Sequence, residues 1–531
     1  MEPDAPPYRP PFLRLPIELV LQICEHLSVD DVLALRLVCR YIETFLFDLF
    51  CREFFAERRF SITYHSLQVL DEIAKYPRLK NCLTHLTIGL DCFHASDALP
   101  RPADHWNSTN HNARGAPLVK AGVDPYKLEA FVIEQNFLIS SGRLQLMLSE
   151  SLSNLSCLEE LNLRDRNVPR KTKRDGINHL LVSYGWSKIL LETGIDFTGS
   201  EPHLDDYDDR FVDMVFSTTL LALAQSRTRL KALTVDISQG NIGLSSSAFS
   251  IPTFFRREIN PILFNLRCLD LSVIFTRVTL GSYSSRCSSF LKWQQHQLFA
   301  FLHQTPNLVT LRVQSKEQGF FPDGIIMWLA GILAGPDYAL ESEEDGESSE
   351  ADLKARIPDG PKAMVLPDSK RQFHALAELE LGNMKARART VCAVLRSLSG
   401  SLRRLTLRRL ALCVKGEDDE LDNDHERPNA WSAVFLAMRD MLQLEKLALH
   451  SLEHHTPSCS RQNGHPVAFF PSNFGVQSGP ANGLLHAWSH EGSVDAVRDF
   501  LGELHLKTII LCRKCKEENP GYRSVEEILA L

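Results

Sequence analysis

The sequence lacks a long hydrophobic run, an excess of positive charge and a leader-like N-terminus. Its most apolar stretch, residues 325–334, is shorter than the roughly 20 residues that span a bilayer. The first seven residues, MEPDAPP, hold neither a basic region nor an apolar core, so we expect no signal peptide. With 58 basic and 66 acidic residues, the net charge of −8 argues against a broad nucleic-acid surface. We therefore expect a protein of the cytoplasm, the nucleus or both, with no membrane or nucleic-acid partner.

Signatures of catalysis and of cofactor binding are also missing. The sequence contains no phosphate-binding loop, no dinucleotide-binding glycine fingerprint, no nucleophile elbow and no His-Glu-x-x-His zinc helix. Its 13 cysteines are scattered without framework spacing, which is typical of reduced thiols. Cys512 and Cys515 have the spacing of a zinc knuckle, but one such pair is a weak signal, and we favour a core cysteine followed by a turn cysteine. We expect no enzyme, no cofactor and no metal site.

The basic segment 164–174, RDRNVPRKTKR, leaves two interpretations open. It has the composition of a nuclear import signal or a phosphate contact. It also fits a solvated loop that follows a strand, and Asp165 dilutes its charge. We favour the solvated loop.

What the sequence does contain begins with three short amphipathic helices near the N-terminus. Residues 17–27 carry apolar side chains at helical spacing, namely Leu19, Val20, Ile23, Cys24 and Leu27. Pro16 suits the first helical position, and Ser28 with Asp31 suits the start of the next helix. Two further apolar runs follow, with Val32, Leu35, Val38 and Cys39 and then with Ile42, Phe45, Leu46 and Leu49. Three helices this short cannot bury all these side chains among themselves, so either a partner or a larger helical domain should cover some of them.

The string at residues 15–40, LPIELVLQICEHLSVDDVLALRLVCR, resembles an F-box. The positions that carry the resemblance are Leu15, Pro16, Glu18, Ile23, Leu27, Asp30, Asp31, Leu35, Val38, Cys39 and Arg40. The resemblance implies that this region docks onto the Skp-type adaptor of a cullin-containing ubiquitin ligase, through an apolar patch that the adaptor buries. It also implies the adaptor-binding positions, without separating direct contacts from supporting residues: Leu15, Pro16, Ile23, Leu27, Val38 and Cys39.

Beyond residue 56, a short motif recurs: Leu, two residues, Leu, one residue, then Leu, Ile or Val. Nine copies begin at Leu83, Leu158, Leu230, Leu266, Leu308, Leu376, Leu402, Leu444 and Leu501. Roughly three copies are expected by chance in so leucine-rich a chain, and the motif resembles that of leucine-rich repeats. Each copy predicts a short strand whose second and third aliphatic side chains point inward, with helices between the strands. We also expect the longest gaps to hide degenerate units such as Leu128-Phe131-Ile133.

The spacing of the copies departs from regular leucine-rich repeats. Successive copies lie 26 residues apart from Leu376 to Leu402 but 75 apart from Leu83 to Leu158, whereas regular repeats run about 20–29 residues. This irregularity resembles F-box proteins of filamentous fungi. The predicted fold class is α/β: a three-helix F-box followed by an irregular leucine-rich-repeat-like α/β solenoid with disordered insertions.

Composition sets the predicted domain boundaries. They are a disordered start at 1–11, the F-box at 12–56, a first repeat region at 57–337, an acidic disordered linker at 338–371, a second repeat region at 372–515 with loops at 415–429 and 453–483, and a tail at 516–531.

Period-two alternation nominates one outward side chain or two on most of the predicted strands. These candidate substrate-binding residues are Asn162, Arg164, Thr234, Asp236, Asp270, Arg312, Glu380, Thr406, Arg408 and His450. Together with the resemblance, they predict a substrate-recognition subunit of an SCF-type ligase, with a Skp-type adaptor, a cullin and an unknown protein substrate as partners. A scaffold that holds the adaptor without degradation, or a repeat-type interaction module, remains the alternative.

Overall fold

The computed structural model describes residues 10–93, 122–169, 180–195, 209–238, 242–274, 297–316, 324–329, 373–413, 430–455, 465–469 and 487–510. Its contacts divide the chain into two compact units, Met1–Ser238 and Gln239–Leu531, rather than at the predicted linker 338–371. That linker, the loop 415–429 and the tail 516–531 lie outside the described residues, as does the predicted disordered start apart from its last two residues. No described helix is long and apolar enough to cross a membrane.

Three helices open the first unit, as the apolar periodicity predicts. After a 3-10 turn at Pro11–Arg14 they are α1 Ile17–Glu25, α2 Val29–Leu37 and α3 Arg40–Phe50, and a π-helical turn follows at Cys51–Phe55. Pro16 lies at the N-cap of α1 rather than at the predicted first helical position. At the start of α2, the Ser28 hydroxyl oxygen accepts the Asp31 N–H at 3.2 Å, which confirms the predicted cap.

Beyond Phe55, the described part of the first unit contains a parallel sheet and five helices. Its strands, in order across the sheet, are β1 Glu57–Phe60, β2 His85–Gly89, β3 Glu160–Arg164 and β6 Ala232–Asp236. The helices between them are α4 Tyr64–Lys75, α5 Pro125–Ser140, α6 Arg143–Asn154, α7 Trp186–Thr193 and α8 Asp209–Ser226. A separate antiparallel pair joins β4 Val168–Pro169 to β5 Leu180–Leu181, so the basic segment after β3 is partly a strand.

The second unit is also mixed α/β with a mostly parallel sheet. Its parallel strands are β7 Cys268–Val273, β8 Thr310–Ser315, β9 Glu378–Ala386, β10 Arg404–Cys413, β11 Lys446–His450 and β12 Glu453–His455, with β10 pairing to both β11 and β12. Three further strands pair antiparallel with these: β13 His465–Phe469 on β12, β14 Ala487–Glu491 on β11 and β15 Thr508–Ile510 on β13.

The described helices of the second unit are α9 Arg256–Asn265, residues 297–303, α10 Gly324–Leu329, α11 Ala388–Leu398, α12 Ala430–Met441 and α13 Val494–Lys507. Two 3-10 turns lie at Ser246–Phe249 and Thr253–Phe255.

Eight of the nine recurring motifs form parallel strands, and their second and third aliphatic side chains are buried. The ninth, which begins at Leu501, is wrong as a strand because it lies inside α13. There Val497, Phe500, Leu501 and Leu504 bury one helical face, and Ser493 caps the helix. The degenerate unit proposed at Leu128 is likewise wrong, because it lies in α5. The predicted loop 453–483 is only partly a loop, because β12 and β13 lie within it.

Three neighbouring strands of the second unit share a backbone corner. Asn383, Arg409 and Ser451 have φ values of 57°, 46° and 49°, in the left-handed region that side chains disfavour. Each comes two residues after the third aliphatic of its motif, and the residue that follows each one is buried. The pairing of β9 with β10 skips Asn383 and Arg409 and resumes one residue later. The three motif copies therefore share a kink as well as a strand.

Candidate functional site

The three N-terminal helices, which we call the hook, enclose a small apolar core. One side chain or two from each helix is buried there: Val20, Cys24, Val32, Ile42 and Leu46. Partly buried apolar side chains surround this core, among them Leu15, Leu27 and Cys39. These three belong to the predicted adaptor-binding set, and in the structure they pack against the core of the hook.

A second group of apolar side chains on the hook faces solvent, and we call it the exposed apolar set. It comprises Leu19 (44% exposed), Ile23 (38%), Leu37 (76%) and Val38 (68%). Leu19 and Ile23 are four residues apart on α1, so they share one helical face, which is exposed. Val20 and Cys24 of the same helix are buried. Of the predicted positions, Ile23 and Val38 belong to this set, and Pro16 is also exposed.

Local structure explains why Leu37 and Val38 are exposed. Helix α2 ends at Leu37, and Cys39 adopts an extended conformation as the N-cap of α3, so the chain turns between them. One residue earlier, the Arg36 guanidinium lies 3.6 Å from the centroid of the Phe50 ring, and this contact ties the end of α2 to α3. The two apolar side chains therefore project from a fixed turn.

The hook is held against the remainder of the first unit by its third helix. Arg78, in the turn after α4, pairs with Glu43 at 3.3 Å and stacks 3.6 Å above the Phe47 ring.

Burial, and then a hydrogen bond with Cys82, raises the pKa of the Cys51 thiol to about 12. That thiol therefore stays protonated at neutral pH.

An apolar groove also opens on the hook. It is lined by Phe12, Leu13, Leu15, Ile17, Val20, Tyr41, Ile42 and Phe45. Tyr41 and Phe45 contact each other edge to face at 4.4 Å between ring centroids, and Tyr41 is 44% exposed. The hook thus has projecting apolar side chains and a small apolar recess whose lining includes the core residues Val20 and Ile42.

On the first sheet, the predicted outward residues divide into two groups. Asn162 and Thr234 pair in register on β3 and β6 but are only 1% and 7% exposed, so the expectation that they face solvent is wrong. Strand alternation fixes which face a side chain takes, but whether further chain covers that face depends on the tertiary fold. Arg164 and Asp236 are partly exposed, and their side chains lie 3.7 Å apart. Arg166 joins them at 3.0 Å from Asp236.

On the second sheet, the predicted outward residues Asp270, Arg312, Glu380, Thr406, Arg408 and His450 lie on one face of consecutive strands. All are partly or fully exposed. From β7 to β10 the charged members alternate in sign by strand and form ion pairs together with Glu378 and Arg404. On the neighbouring strands Lys446 pairs with Glu491. We call this row of ion pairs the charge ladder.

The pairs of the charge ladder are close. Arg312 lies 2.6 Å from Glu378, Arg404 lies 3.0 Å from the same carboxylate, and Arg408 pairs with Glu380. At the far end Lys446 lies 2.7 Å from Glu491. Because each charge already has an opposite partner, a ligand on this face has to compete with the pairs rather than fill an empty field.

His450 lies on β11, in register with Arg408 of β10. Burial, and then the charge of Arg408, lowers the pKa of His450 below its ordinary value. The lowered pKa favours the neutral form of this imidazole. Among the described residues, no group of three His, Cys, Asp or Glu side chains could hold a metal ion, and the Cys512–Cys515 pair lies outside them.

Sequence reasoning missed some members of both surfaces. The apolar spacing places Leu19 in a stripe without indicating that it is exposed, and the sequence pattern gives no signal for Leu37. Glu378 and Arg404 were also missed, although the alternation that nominates Glu380 and Thr406 places them on the same face two residues earlier.

Comparison with known families bears on the hook. The F-box-like family model matches residues 12–55, which extend from the 3-10 turn before the hook to the π-helical turn after it. No curated protein matches the chain. The match supports the resemblance at residues 15–40, while the leucine-rich-repeat and fungal resemblances stay predictions. F-box domains bind Skp-type adaptors, and this chain carries an F-box-like domain, which supports its assignment as an F-box protein.

Proposed function

We propose that the chain is the substrate-recognition subunit of an SCF-type ubiquitin ligase, working in the cytoplasm or the nucleus. The observation that carries the proposal is the coincidence of the F-box-like match with the exposed apolar set. Isolated apolar side chains on a surface are ordinary, but four on the first two helices of an adaptor-binding domain and the turn that follows them are suited to burial by an adaptor.

We further propose that the strand region is an irregular leucine-rich-repeat-like solenoid that binds a protein substrate. Eight motif copies in parallel strands support this view, as does the corner shared by Asn383, Arg409 and Ser451. The charge ladder supplies a polar face on which a substrate with alternating charges could exchange ion pairs. Arg164 and Asp236 would be the corresponding contacts on the first sheet.

The mechanism under this proposal is proximity. The hook fixes the chain to the adaptor, the strand region holds the substrate, and the ubiquitin-conjugating enzyme bound by the ligase meets substrate lysines at high effective concentration. No residue of the chain takes part in a bond-forming step, and no cofactor is needed.

Reconstitution with purified Skp-type adaptor and cullin tests the proposal. We expect the tagged chain to retain both proteins and Ile23→Asp to retain neither, because a carboxylate at position 23 would be buried without a partner. The matched control is Phe254→Asp, which changes a 73% exposed apolar residue outside the hook and should bind normally. Retention of the adaptor without the cullin would favour a scaffold outside any ligase, and retention of neither would refute the proposal.

A further inference from the structure

Helix α5 (Pro125–Ser140) is apolar on two opposite faces. One face buries the apolar side chains of Leu128 and Leu138, together with Gln135, whose amide is hydrogen-bonded. The opposite face exposes Tyr126 (83%), Ile133 (61%) and Phe137 (65%), with the small, exposed Ala130 between them. A single surface helix needs only one apolar face, so the second one requires a separate explanation.

The spacing of this exposed stripe is that of a coiled-coil seam. Tyr126, Ala130, Ile133 and Phe137 follow one another at intervals of four, three and four residues, which places them at alternating d and a positions of a heptad. The residues that flank the seam are charged or polar: Lys127 and Glu134 on one side, and Glu129 and Asn136 on the other. The seam therefore has the form of a helix-pairing surface.

We propose that a second copy of this chain covers the seam, with the two α5 helices antiparallel. In that arrangement Tyr126 of each copy packs against Phe137 of the other, so two aromatic side chains meet at each end of the seam. At the centre, the small Ala130 of each copy packs against Ile133 of the other.

The flanking charges select the antiparallel direction. Antiparallel pairing brings Lys127 of each copy beside Glu134 of the other, which forms two ion pairs between opposite charges. Parallel pairing would instead bring Glu129 of each copy beside Glu134 of the other, which sets like charges together twice. The carboxylate of Glu134 is already oriented, because its Oε1 accepts the Tyr64 N–H at 2.8 Å.

The length of the seam sets the expected strength. A helix of 16 residues is about 24 Å long, and two such helices bury less than the roughly 1,200 Å² of a standard stable interface. We therefore expect a reversible dimer with a dissociation constant in the micromolar range rather than a permanent one.

Sedimentation velocity on the full chain, from about 1 to 100 µM, tests the proposal. We expect the mass to rise with concentration from 60.0 kDa towards about twice that value. Ile133→Asp should abolish the rise, while the control Phe254→Asp, at an exposed apolar site in the other unit, should leave it unchanged.

Charge reversal tests the direction of pairing. Lys127→Glu and Glu134→Lys should each weaken the dimer about tenfold, and the double variant should restore it to within about threefold, because opposite charges again meet. Melting temperatures of all variants separate dimer loss from unfolding, which matters for Glu134→Lys because it removes the acceptor for Tyr64. A chain that stays monomeric at 100 µM, an Ile133→Asp variant that still dimerises, or a double variant without rescue would each overturn the proposal.

Discussion

Replacement of Arg312 by methionine tests whether the charge ladder stabilises the second unit. The Arg312 guanidinium lies 2.6 Å from Glu378, 3.7 Å from Glu380 and 3.8 Å from Asp270. Methionine keeps the length of the side chain and removes its charge, so the three carboxylates lose a shared cation. Arg404 and Arg408 still neutralise Glu378 and Glu380 from the neighbouring strand, which limits the effect.

The magnitude follows from distance and exposure. A pair of unit charges 4 Å apart interacts by about 4 kcal/mol near a protein surface and by about 1 kcal/mol in bulk water. The Arg312 side chain is 40% exposed and that of Glu378 is 18% exposed, so solvent screens the pair substantially. Only the Glu378 contact combines a short distance with a hydrogen bond. We therefore expect Arg312→Met to lower the free energy of unfolding by about 1–2 kcal/mol.

Urea unfolding at low salt and at 1 M salt measures this loss. The Debye length falls from about 10 Å at 0.1 M to about 3 Å at 1 M, so the loss should shrink at high salt. Arg498→Met is the matched control, because Arg498 is 47% exposed and pairs with Asp495 on the same helix, and it should change stability by less than about 0.5 kcal/mol. Equal effects of the two substitutions, or a gain in stability from Arg312→Met, would refute the reasoning.

Three further predictions concern stability and are checked by the same unfolding measurement. Arg409→Gly should raise the free energy of unfolding by about 1 kcal/mol, because glycine adopts the left-handed φ of 46° without strain, whereas Arg408→Gly at a regular strand position should not. Asn162→Leu should be neutral or stabilising by about 1 kcal/mol, because neither atom of this buried side-chain amide has a hydrogen-bond partner among the described residues; a loss above about 1 kcal/mol would contradict this account. Arg59→Met should cost about 3 kcal/mol or more, because Arg59 is 1% exposed and holds Asp91 at 2.7 Å and the Ser183 hydroxyl at 2.8 Å; a change below about 1 kcal/mol would show that the network is dispensable.

The hook could be predicted from sequence because its signals are local. A four-residue apolar spacing and a Ser28–Asp31 cap define the helices within one or two residues. The resemblance nominates Ile23 and Val38 of the exposed apolar set, but apolar periodicity alone could not predict which side chains are exposed, because the orientation of each helix around the core depends on how three helices pack. Leu19 and Val20 are neighbours in one stripe of the sequence, yet Val20 is buried and Leu19 is 44% exposed.

The strand region was predictable only in part, because its leucine motif is compatible with both a strand and a helix. Leucines three residues apart fit both the start of a strand motif and one turn of a helix. In the copy that begins at Leu501, Val497 and Phe500 extend the helical spacing and Ser493 supplies a cap, so this segment forms a helix. The burial of Asn162 is a separate miss, because strand alternation assigns a side chain to a face of the sheet but not to solvent.

Titration of a purified Skp-type adaptor into the purified chain tests the central claim most directly. The account predicts binding that Val38→Asp weakens by at least about 30-fold, equivalent to about 2 kcal/mol at an interface hot spot, without lowering the melting temperature, because Val38 is 68% exposed. Absence of binding by the wild-type chain, or equal binding by the folded Val38→Asp variant, would contradict it.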